Sequence, residues 1–202
     1  MFFLATNRDH DLVENELPES EWVRRAAAGD EDAFVLLASR YRDRVWNTAS
    51  RFARGRAELE DLTQDLFLKI WKGLPGYRDD APFEHWVMRV AVRGCYDFLR
   101  KNRKRREREI LHDGSADHSA GDPSSHRKRE QREAWEIVHC LLSRLDAKDR
   151  TVVTLLDLEE RSVREVAELT GWSESNVKVR AHRARKKMRR IYDSLEPDIE
   201  AS

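Results

Sequence analysis

The chain has 202 residues, and its 38 Lys or Arg balance its 38 Asp or Glu, so its formal net charge at pH 7 is zero. Hydrophobic residues make up 40% and charged residues 38%, which is typical of small helical domains with large solvated surfaces or of domains joined by a polar linker. Only eight Gly and five Pro argue against a turn-rich all-β fold. The apolar stretch after Met1 is too short for a signal sequence and no segment approaches a membrane span, so we expect a cytoplasmic protein.

The N-terminal part predicts an acidic lead-in followed by helices. Residues 1–20 carry acids and little apolar periodicity. "AAAGDEDAF" indicates a helix that ends at Gly29 and a second helix capped by Asp30, with acids in its first turn, where the helix dipole favours them. An apolar stripe then recurs at helical spacing and comprises Phe34, Leu37, Tyr41, Val45 and Thr48.

Two further helices are predicted before residue 102. "AELEDLTQDLFLKIWKGLPGY" carries an apolar stripe and ends in Gly and Pro, which interrupt helices. The stripe comprises Leu59, Leu62, Leu66 and Ile70, and the polar residues beside or opposite it are Asp61, Gln64, Asp65 and Lys69. "FEHWVMRVAVRGCYDFLRKNRKRR" predicts the next helix, in which Trp86, Val90, Tyr96 and Leu99 alternate with Arg89, Arg93 and Arg100.

The apolar periodicity fails over residues 102–130, which are rich in Ser, Asp, Gly, His and charged residues. We expect this segment to be a polar linker that is flexible in isolation. A second helical unit begins near Trp135. The sequence therefore predicts an all-α protein of two small helical domains joined by a flexible polar linker. The predicted boundaries are a lead-in at 1–20, domains at 21–101 and 131–195, the linker at 102–130 and a C-terminal tail at 196–202.

The segment "RSVREVAELTGWSESNVKVRAHRAR" predicts a helix-turn-helix. Ser162 and Glu165 form an S-x-x-E capping box that starts a helix directly after the serine. Gly171 ends that helix, because glycine tolerates a positive φ, and Ser173 caps the next one. Ala167 falls where the two short helices cross, and a larger side chain there would separate them.

Projected at 100° per residue, the second helix of this motif divides into an apolar and a polar face. The inner face comprises Val177, Ala181, Ala184, Met188 and Ile191. The outer face comprises Ser175, Val179, His182, Arg183 and Lys186, with Lys178 on the flank. In a helix-turn-helix such outward residues reach base edges in the major groove or bind phosphates. An ordinary amphipathic helix with a basic exterior is the alternative, but the capping box, small crossing residue and turn glycine favour DNA binding.

The order of these segments resembles that of an extracytoplasmic-function (ECF) sigma factor of the sigma-70 family, a class of small bacterial initiation factors that bring RNA polymerase to promoters. The resemblance covers about residues 22–195. "GDEDAFVLLASRYRDRVWNTASRF" and "AELEDLTQDLFLKIWKGLPGY" resemble regions 2.1 and 2.2, and "FEHWVMRVAVRGCYDFLRKNRKR" resembles regions 2.3 and 2.4. "LSRLDAKDRTVVTLLDLEERSVREVAELTGWSESNVKVRAHRARKKMRR" resembles region 4. Order and spacing, rather than any single motif, carry the resemblance.

The resemblance implies core RNA polymerase, through its β′ coiled coil and β flap, and promoter DNA as partners, together with an anti-sigma factor that buries the binding faces. The implied polymerase contacts are Asp61, Gln64, Asp65 and Leu68, although spacing alone would favour a solvated acidic face. The implied contacts to the −35 element are Ser175, Lys178, Val179, His182, Arg183 and Lys186. The implied function is initiation at the promoters of a stress- or signal-responsive regulon.

ECF sigma factors resemble one another in melting the −10 element and capturing a flipped base of the non-template strand, at the cost of unstacking it. The implied −10 contacts in this chain are Arg89, Arg93, Arg100, Lys101 and Trp86. For Phe83 and Trp86, however, the spacing of two aromatic residues at i and i+3 favours positions in the core.

The chain departs from the family pattern at two places. Where the common pattern is close to I-A-R-N-x-x-x-D, this chain has Val90-Ala91-Val92-Arg93 before Asp97, so a standard −10 base preference is not expected. The usual Gly before the capping serine of region 4 is replaced by Glu160-Arg161, and the usual L-P before the second helix of region 4 by Arg144-Leu145-Asp146. Neither replacement disturbs the predicted helix-turn-helix.

Two other classes of function are alternatives to an initiation factor. A stand-alone helix-turn-helix regulator with an N-terminal sensing or dimerisation domain would bind DNA without polymerase, normally as a dimer. An enzyme is disfavoured, because the sequence has no Gly-rich phosphate loop, H-E-x-x-H or C-x-x-C motif. No cofactor is expected. We expect the linker histidines, His112, His118 and His126, to be solvated rather than to bind a metal ion. The two cysteines, Cys95 and Cys140, are expected to be buried free thiols. We also hypothesise that the two units pack against each other.

Overall fold

The computed structural model describes the backbone of residues 17–109 and 126–199, and the side chains of residues 17–102 and 134–194. Within these ranges every regular element is helical, which confirms the predicted all-α class. The helices are α1 (Glu19–Ala27), α2 (Glu31–Ser50), α3 (Arg56–Gly73), α4 (Phe83–Glu109), α5 (His126–Ser143), α6 (Ala147–Val153), α7 (Val163–Thr170) and α8 (Glu174–Ile199). A 3-10 turn over Leu74–Gly76 follows α3, and a π-helical turn over Thr154–Leu158 follows α6.

Several predictions lie outside the described residues. These are most of the lead-in, the middle of the linker, the end of the tail and the side chains of His112, His118 and His126. Where the two can be compared, the helices extend into the predicted linker at both ends, because α4 continues to Glu109 and α5 begins at His126. Arg, Lys and Glu are good helix formers, so this sequence favours a helix although it has no apolar face from which periodicity would reveal one.

Side-chain caps define the helix ends as predicted. The Asp30 carboxylate accepts the backbone N–H of Ala33 at 3.1 Å. Ser162 Oγ accepts the N–H of Glu165 at 3.2 Å, while Glu165 Oε2 accepts the N–H of Ser162 at 2.8 Å, which confirms the capping box. Gly171 ends α7 with a φ of 75°, in the left-handed region. These caps satisfy N–H groups that a helix start leaves unpaired.

Helices α1 to α4 form one bundle. Its fully buried large side chains include Leu37, Val45, Phe52, Leu66, Leu74 and Val87. Helices α3 and α4 approach closely at Gly94, where an added Cβ would overlap Leu66 Cδ2, so only glycine fits without movement. Tyr77, Phe83 and Trp86 form an aromatic cluster at the start of α4, with the Phe83 and Trp86 rings stacked at 5.6 Å. Close packing of this kind fixes the rotation of α4 about its axis.

Helices α5 to α8 form a second unit around two small apolar clusters. The first holds Val152, Leu155, Val166, Val177 and Ala181, and the second holds Leu142, Leu145, Val153 and Ala184. Because α8 contributes to both clusters, its inner face is packed over more than one turn. This packing fixes the rotation of α8 and therefore determines which of its residues face outward.

The two units pack against each other through α4, as hypothesised. Val92 of α4 is only 1% exposed and belongs to the cluster of the second unit rather than to that of its own bundle. The buried Arg150 of α6 donates Nη2 to the carbonyl oxygen of Phe52 at 2.9 Å. Tyr96 of α4 meets Trp172 edge to face, with ring centroids 5.9 Å apart. The described parts of the chain therefore form one closed arrangement.

Candidate nucleic-acid and polymerase interface

The turn between α7 and α8 is built from local hydrogen bonds. Thr170 Oγ1 donates to the carbonyl of Val166 at 2.6 Å and accepts the N–H of Trp172 at 3.3 Å. Ser173 Oγ accepts the N–H of Asn176 at 3.3 Å, which confirms the predicted cap of α8. Together with the left-handed glycine, these bonds fix the angle between the two helices, and this is the geometry that a helix-turn-helix needs.

The inner face of α8 lies where the sequence predicted. Val177 and Ala184 are fully buried, Ala181 is 4% exposed, and Met188 and Ile191 are half-buried. The predicted −35 residues all lie on the opposite side and are all exposed; they are Ser175, Lys178, Val179, His182, Arg183 and Lys186. Val179, the apolar member of this set, is 48% exposed.

Two arginines of α8 form ion pairs with acids of the same unit, which the sequence did not reveal. Arg180 Nη1 lies 2.7 Å from Asp149 Oδ1 of α6 in a largely buried ion pair, and its guanidinium carbon lies 5.8 Å from the centre of the Trp172 ring. Arg185 Nε donates to Asp157 Oδ2 at 3.1 Å. Both acids lie about 30 residues upstream, so only the folded chain shows that they neutralise two cations of the basic segment.

A shallow groove runs between the start of α7 and the outer side of α8. Its lining includes Arg161 and Ser162, which directly precede α7. From α8 it includes Lys178, His182 and Lys186. The groove therefore combines cations with the N-terminal end of a helix, where the partial charge is positive. Such a surface favours the phosphates of a nucleic-acid backbone.

The predicted −10 residues lie along α4. Arg93, Arg100 and Lys101 are exposed, whereas Arg89 is half-buried. Phe83 is 6% exposed, which confirms that it belongs to the core. Trp86 is half-buried, and its indole packs on Phe83 and Tyr77. The exposed cations of α4 thus lie on a helix whose aromatic N-terminal end is anchored in the bundle.

The predicted polymerase residues share the outer face of α3. Asp61, Gln64, Asp65 and Leu68 are all exposed at i, i+3, i+4 and i+7 spacing, while Leu62, Leu66 and Ile70 on the opposite side are buried. Leu68 is 54% exposed, so an apolar side chain stands within an otherwise polar and acidic face.

The described residues give no support to a metal or redox site. Over residues 17–109 and 126–199, no group of three or more His, Cys, Asp or Glu is placed to hold a metal ion. Cys95 is fully buried, and burial raises the pKa of its thiol, which makes the thiolate scarce and the residue unreactive. Cys140 is a free, half-buried thiol. In the same part of the chain, no helix has both the length and the apolar character to span a bilayer.

Comparison with known proteins assigns the two units. Residues 37–105 match the family model for sigma-70 region 2, and residues 135–188 match the model for sigma-70 region 4. The chain is 27% identical over 176 residues to the ECF RNA polymerase sigma-E factor of Haemophilus influenzae, covering 84% of this chain and 93% of that protein. It is 28% identical over 181 residues to the sigma-E factor of Escherichia coli K12, covering 86% and 93%.

Solved structures show the same fold. The structure of CnrH in complex with the cytosolic domain of CnrY matches with a TM-score of 0.56 and 24% identity, covering 87% of this chain and 97% of that one. RpoE of Bartonella quintana, in complex with the anti-sigma factor NepR, matches with a TM-score of 0.51 and 20% identity, covering 79% and 96%. At these identities the likeness concerns the fold.

The chain therefore belongs to the sigma-70 family of bacterial RNA polymerase initiation factors. Within that family it is an extracytoplasmic-function sigma factor, which binds core RNA polymerase and promoter DNA. The interpretation as a stand-alone helix-turn-helix regulator is not favoured, because the N-terminal unit matches sigma-70 region 2 rather than a sensing domain.

Proposed function

We propose that the outer face of α8 binds the −35 element of the promoter. The strongest support is that α8 has one exposed and one buried face. Its six predicted contacts are all exposed, whereas Val177, Ala181 and Ala184 are buried. Ser175, Lys178 and Val179 lie in the first turns, where a recognition helix approaches base edges. Arg183 and Lys186 lie further along, where cations bind phosphates and supply affinity without sequence information.

We propose that α4 binds the −10 element through Arg89, Arg93, Arg100 and Lys101. A helix that carries several exposed cations is suited to the phosphates of a melted strand, and Arg93 occupies the position where the family pattern has Asn. Trp86 is half-buried, and its ring packs on Phe83 and Tyr77 of the core. We therefore assign it a supporting position below the bound strand rather than a primary contact.

The exposed face of α3 is proposed as the contact to the polymerase β′ coiled coil, through Asp61, Gln64, Asp65 and Leu68. One apolar side chain among acids and an amide supplies both desolvation energy and charge selectivity. Region 4 would then bind the β flap, which sets the two units at a fixed spacing on the promoter. The chain would act in the cytoplasm, where core polymerase is present.

An anti-sigma factor is the further partner that we propose. Two proteins whose fold this chain shares were solved as complexes: CnrH with the cytosolic domain of CnrY, and the sigma factor RpoE of Bartonella quintana with the anti-sigma factor NepR. Such a partner would cover the polymerase or DNA faces until a signal removes it.

In vitro transcription tests the proposal. Purified protein is mixed with core polymerase and genomic template fragments, and the start sites of the transcripts are mapped. We expect discrete start sites that share upstream elements near −35 and −10 and that disappear when Asp65→Arg and Leu68→Asp are introduced together. Asp43→Arg, a charge reversal at an exposed position of α2 outside all the proposed faces, is the matched control and should leave transcription unchanged. Promoter-independent transcription, or equal loss in both variants, would contradict the assignment of the α3 face.

A further inference from the structure

A cleft opens where the two units meet. Its volume is about 670 Å³, and pockets that hold small ligands commonly measure about 300–1,000 Å³. Region 2 contributes the turn after α2 and parts of α3 and α4, while region 4 contributes the turn between α5 and α6 and parts of α6 and α8. The lining of this interunit cleft includes none of the proposed contacts to DNA or polymerase. Its ligand therefore has to be inferred from the cleft's own chemistry.

Three cations on the rim of the interunit cleft lack an acidic partner. Arg54, Arg144 and Lys187 are exposed, come from three separate segments and form no ion pair with an acid among the residues that the structure describes. Arg56 and Arg164, which are also exposed, each pair with an acid one helical turn away. Cations that converge without neutralisation create a positive potential, which favours an anionic ligand.

The two acids of the cleft are already engaged in local hydrogen bonds. Glu58 accepts the backbone N–H of Arg54 at 2.6 Å through one oxygen and the side-chain amide of Asn102 at 3.0 Å through the other. Asp146 caps α6 by accepting the N–H of Asp149 at 2.9 Å. These bonds fix both carboxylates on the protein, so neither forms an ion pair with a rim cation.

A buried guanidinium forms part of the inner wall. Arg150 is 5% exposed and donates Nη2 to the carbonyl oxygen of Phe52 at 2.9 Å. With it, the cleft carries four cations and two acids. The ring of His139 also lies in this positive environment, because burial and then the charges of Arg150 and Arg54 lower its pKa below the ordinary value. The positive charge thus extends from the rim into the interior.

One wall of the cleft is apolar. Phe98 of α4 is half-buried and packs against the region 2 core, while Leu99 and Leu145, which also line the cleft, are each 6% exposed. An aromatic face stacks favourably with a planar base, and guanidinium groups bind phosphates through paired hydrogen bonds. The cleft therefore offers complementary surfaces to both parts of a nucleotide, whereas a small inorganic anion would use only the cations.

We propose that the interunit cleft binds a nucleoside polyphosphate, whose base stacks on Phe98 and whose phosphates lie among Arg54, Arg144 and Lys187. Because both units line the cleft, a bound nucleotide stabilises their packing in proportion to its concentration. The proposal concerns binding alone and does not depend on the face assignments under Proposed function, so it stands or fails separately from them.

Isothermal titration calorimetry of the full chain tests the proposal. ATP and GTP are titrated in buffer without divalent metal ions, and adenosine and pyrophosphate are titrated separately to isolate the base and the phosphates. We expect one nucleotide at least to bind about tenfold or more tightly than pyrophosphate or adenosine, and to raise the unfolding temperature. Absence of binding by both nucleotides up to about 1 mM, or equal affinity for pyrophosphate, would overturn the proposal.

Substitutions locate the bound nucleotide. Arg144→Gln and Lys187→Gln together should lower its affinity about tenfold or more. Phe98→Leu should weaken nucleotide binding and leave pyrophosphate binding unchanged. The matched control is Arg40→Gln with Arg42→Gln, which removes two exposed cations of α2 outside the cleft and should change neither affinity. Equal loss of nucleotide binding in the control would show attraction by net charge alone and contradict the site.

Two outcomes would assign the cations to nucleic acid instead. Lys178→Ala, on the proposed −35 face, should leave nucleotide affinity unchanged, and a loss there would place the nucleotide on α8. Binding of a −35 duplex should be retained by the variant that carries Arg144→Gln and Lys187→Gln. Loss of duplex binding together with nucleotide binding would show that the cleft serves DNA, and this would also overturn the proposal. Circular dichroism establishes that each variant is folded.

Discussion

Glu160 shows how a single residue departs from the local rules of this fold. Its φ is 53°, in the left-handed region that side chains with a Cβ adopt at a cost. It stands immediately before the segment that caps α7, at a place where the family usually has glycine. The left-handed backbone conformation explains why glycine is usual at this position. This chain keeps the same conformation with glutamate in place of glycine.

Replacement of Glu160 by glycine should stabilise the protein. Relief of the left-handed strain, offset in part by the greater freedom of glycine in the unfolded chain, predicts a gain of about 0.5–1 kcal/mol. Urea denaturation of the purified protein measures it. Glu160→Ala is the control, because it removes the carboxylate but keeps the Cβ, and it should give no gain. A similar gain in both variants would indicate that charge rather than backbone strain is responsible.

The two faces of α8 predict different consequences of substitution. Lys178→Ala or Arg183→Ala removes an exposed cation and should weaken −35 binding by about 1–3 kcal/mol while the unfolding midpoint stays unchanged. Ala181→Glu places a charge in the buried region 4 cluster and should unfold that unit. Binding of a −35 duplex and thermal unfolding, measured on all three variants, separate the outcomes. Equal loss of folding in the three would contradict the assignment of the faces.

At the scale of elements, α7 depends on its capping box. Hydrogen bonds from the side chain and the backbone of Ser162, which stabilise the carboxylate, hold the pKa of Glu165 below its ordinary value. The folded protein therefore binds this proton less readily than the unfolded chain does. The corresponding stability is present above the unfolded pKa of about 4.3 and is lost as the pH falls below it.

Ser162→Ala should lower the stability of region 4 by about 1 kcal/mol at neutral pH, because the N–H of Glu165 loses its acceptor. Thermal unfolding between pH 7 and pH 3 measures both effects. The difference between the variant and the parent should shrink as the pH is lowered, since acid removes part of the cap from the parent as well. A difference that is constant with pH would show that the Glu165 carboxylate does not contribute.

The contact between α3 and α4 depends on one glycine. Because an added Cβ at Gly94 overlaps Leu66, Gly94→Ala must displace the buried Leu66 side chain or push the two helices apart, and it should cost about 1–3 kcal/mol despite the better helix propensity of alanine. Chemical denaturation measures this cost. Leu66→Ala introduced with Gly94→Ala creates room for the new methyl group, so the two changes together should destabilise less than the sum of each alone. Strict additivity would contradict the proposed overlap.

At the scale of the whole molecule, zero net charge conceals an uneven distribution. The outer face of α8 carries Lys178, Arg183 and Lys186, whereas the exposed face of α3 carries Asp61 and Asp65. Arg180 and Arg185 are neutralised within region 4. The sequence total therefore says little about binding, while the local charges suit one face to DNA and another to a basic protein surface.

This distribution predicts that −35 binding depends on salt although the chain is neutral. The logarithm of affinity for a −35 duplex should fall linearly with the logarithm of salt concentration, and Lys186→Ala should reduce the slope by about one. Fluorescence anisotropy over a salt series measures the slopes. Arg185→Gln is the comparison, because Arg185 is already bound to Asp157 and its loss should change the slope less. Equal changes would show that Arg185 also contacts phosphate.

Much of this architecture could be predicted because it depends on near neighbours in the chain. The N-cap at Asp30, the capping box at Ser162 and the left-handed Gly171 involve residues three or four apart, and sequence spacing determines them directly. The two faces of α8 follow from helical periodicity alone. The extent of α4 was missed, because its last two turns are charged and have no apolar stripe to indicate a helix.

The sequence by itself determined the all-α class, the helix-turn-helix, the three candidate faces and the resemblance to the sigma-70 family. Only the tertiary structure decided that Val92 packs in region 4, that Arg150 reaches Phe52, and that Arg180 and Arg185 pair with Asp149 and Asp157. The physical reason is the separation along the chain, since these contacts join residues about 30 to 100 positions apart. Helical periodicity shows which face of a helix is apolar, but the partner of that face is determined only when all the elements pack together.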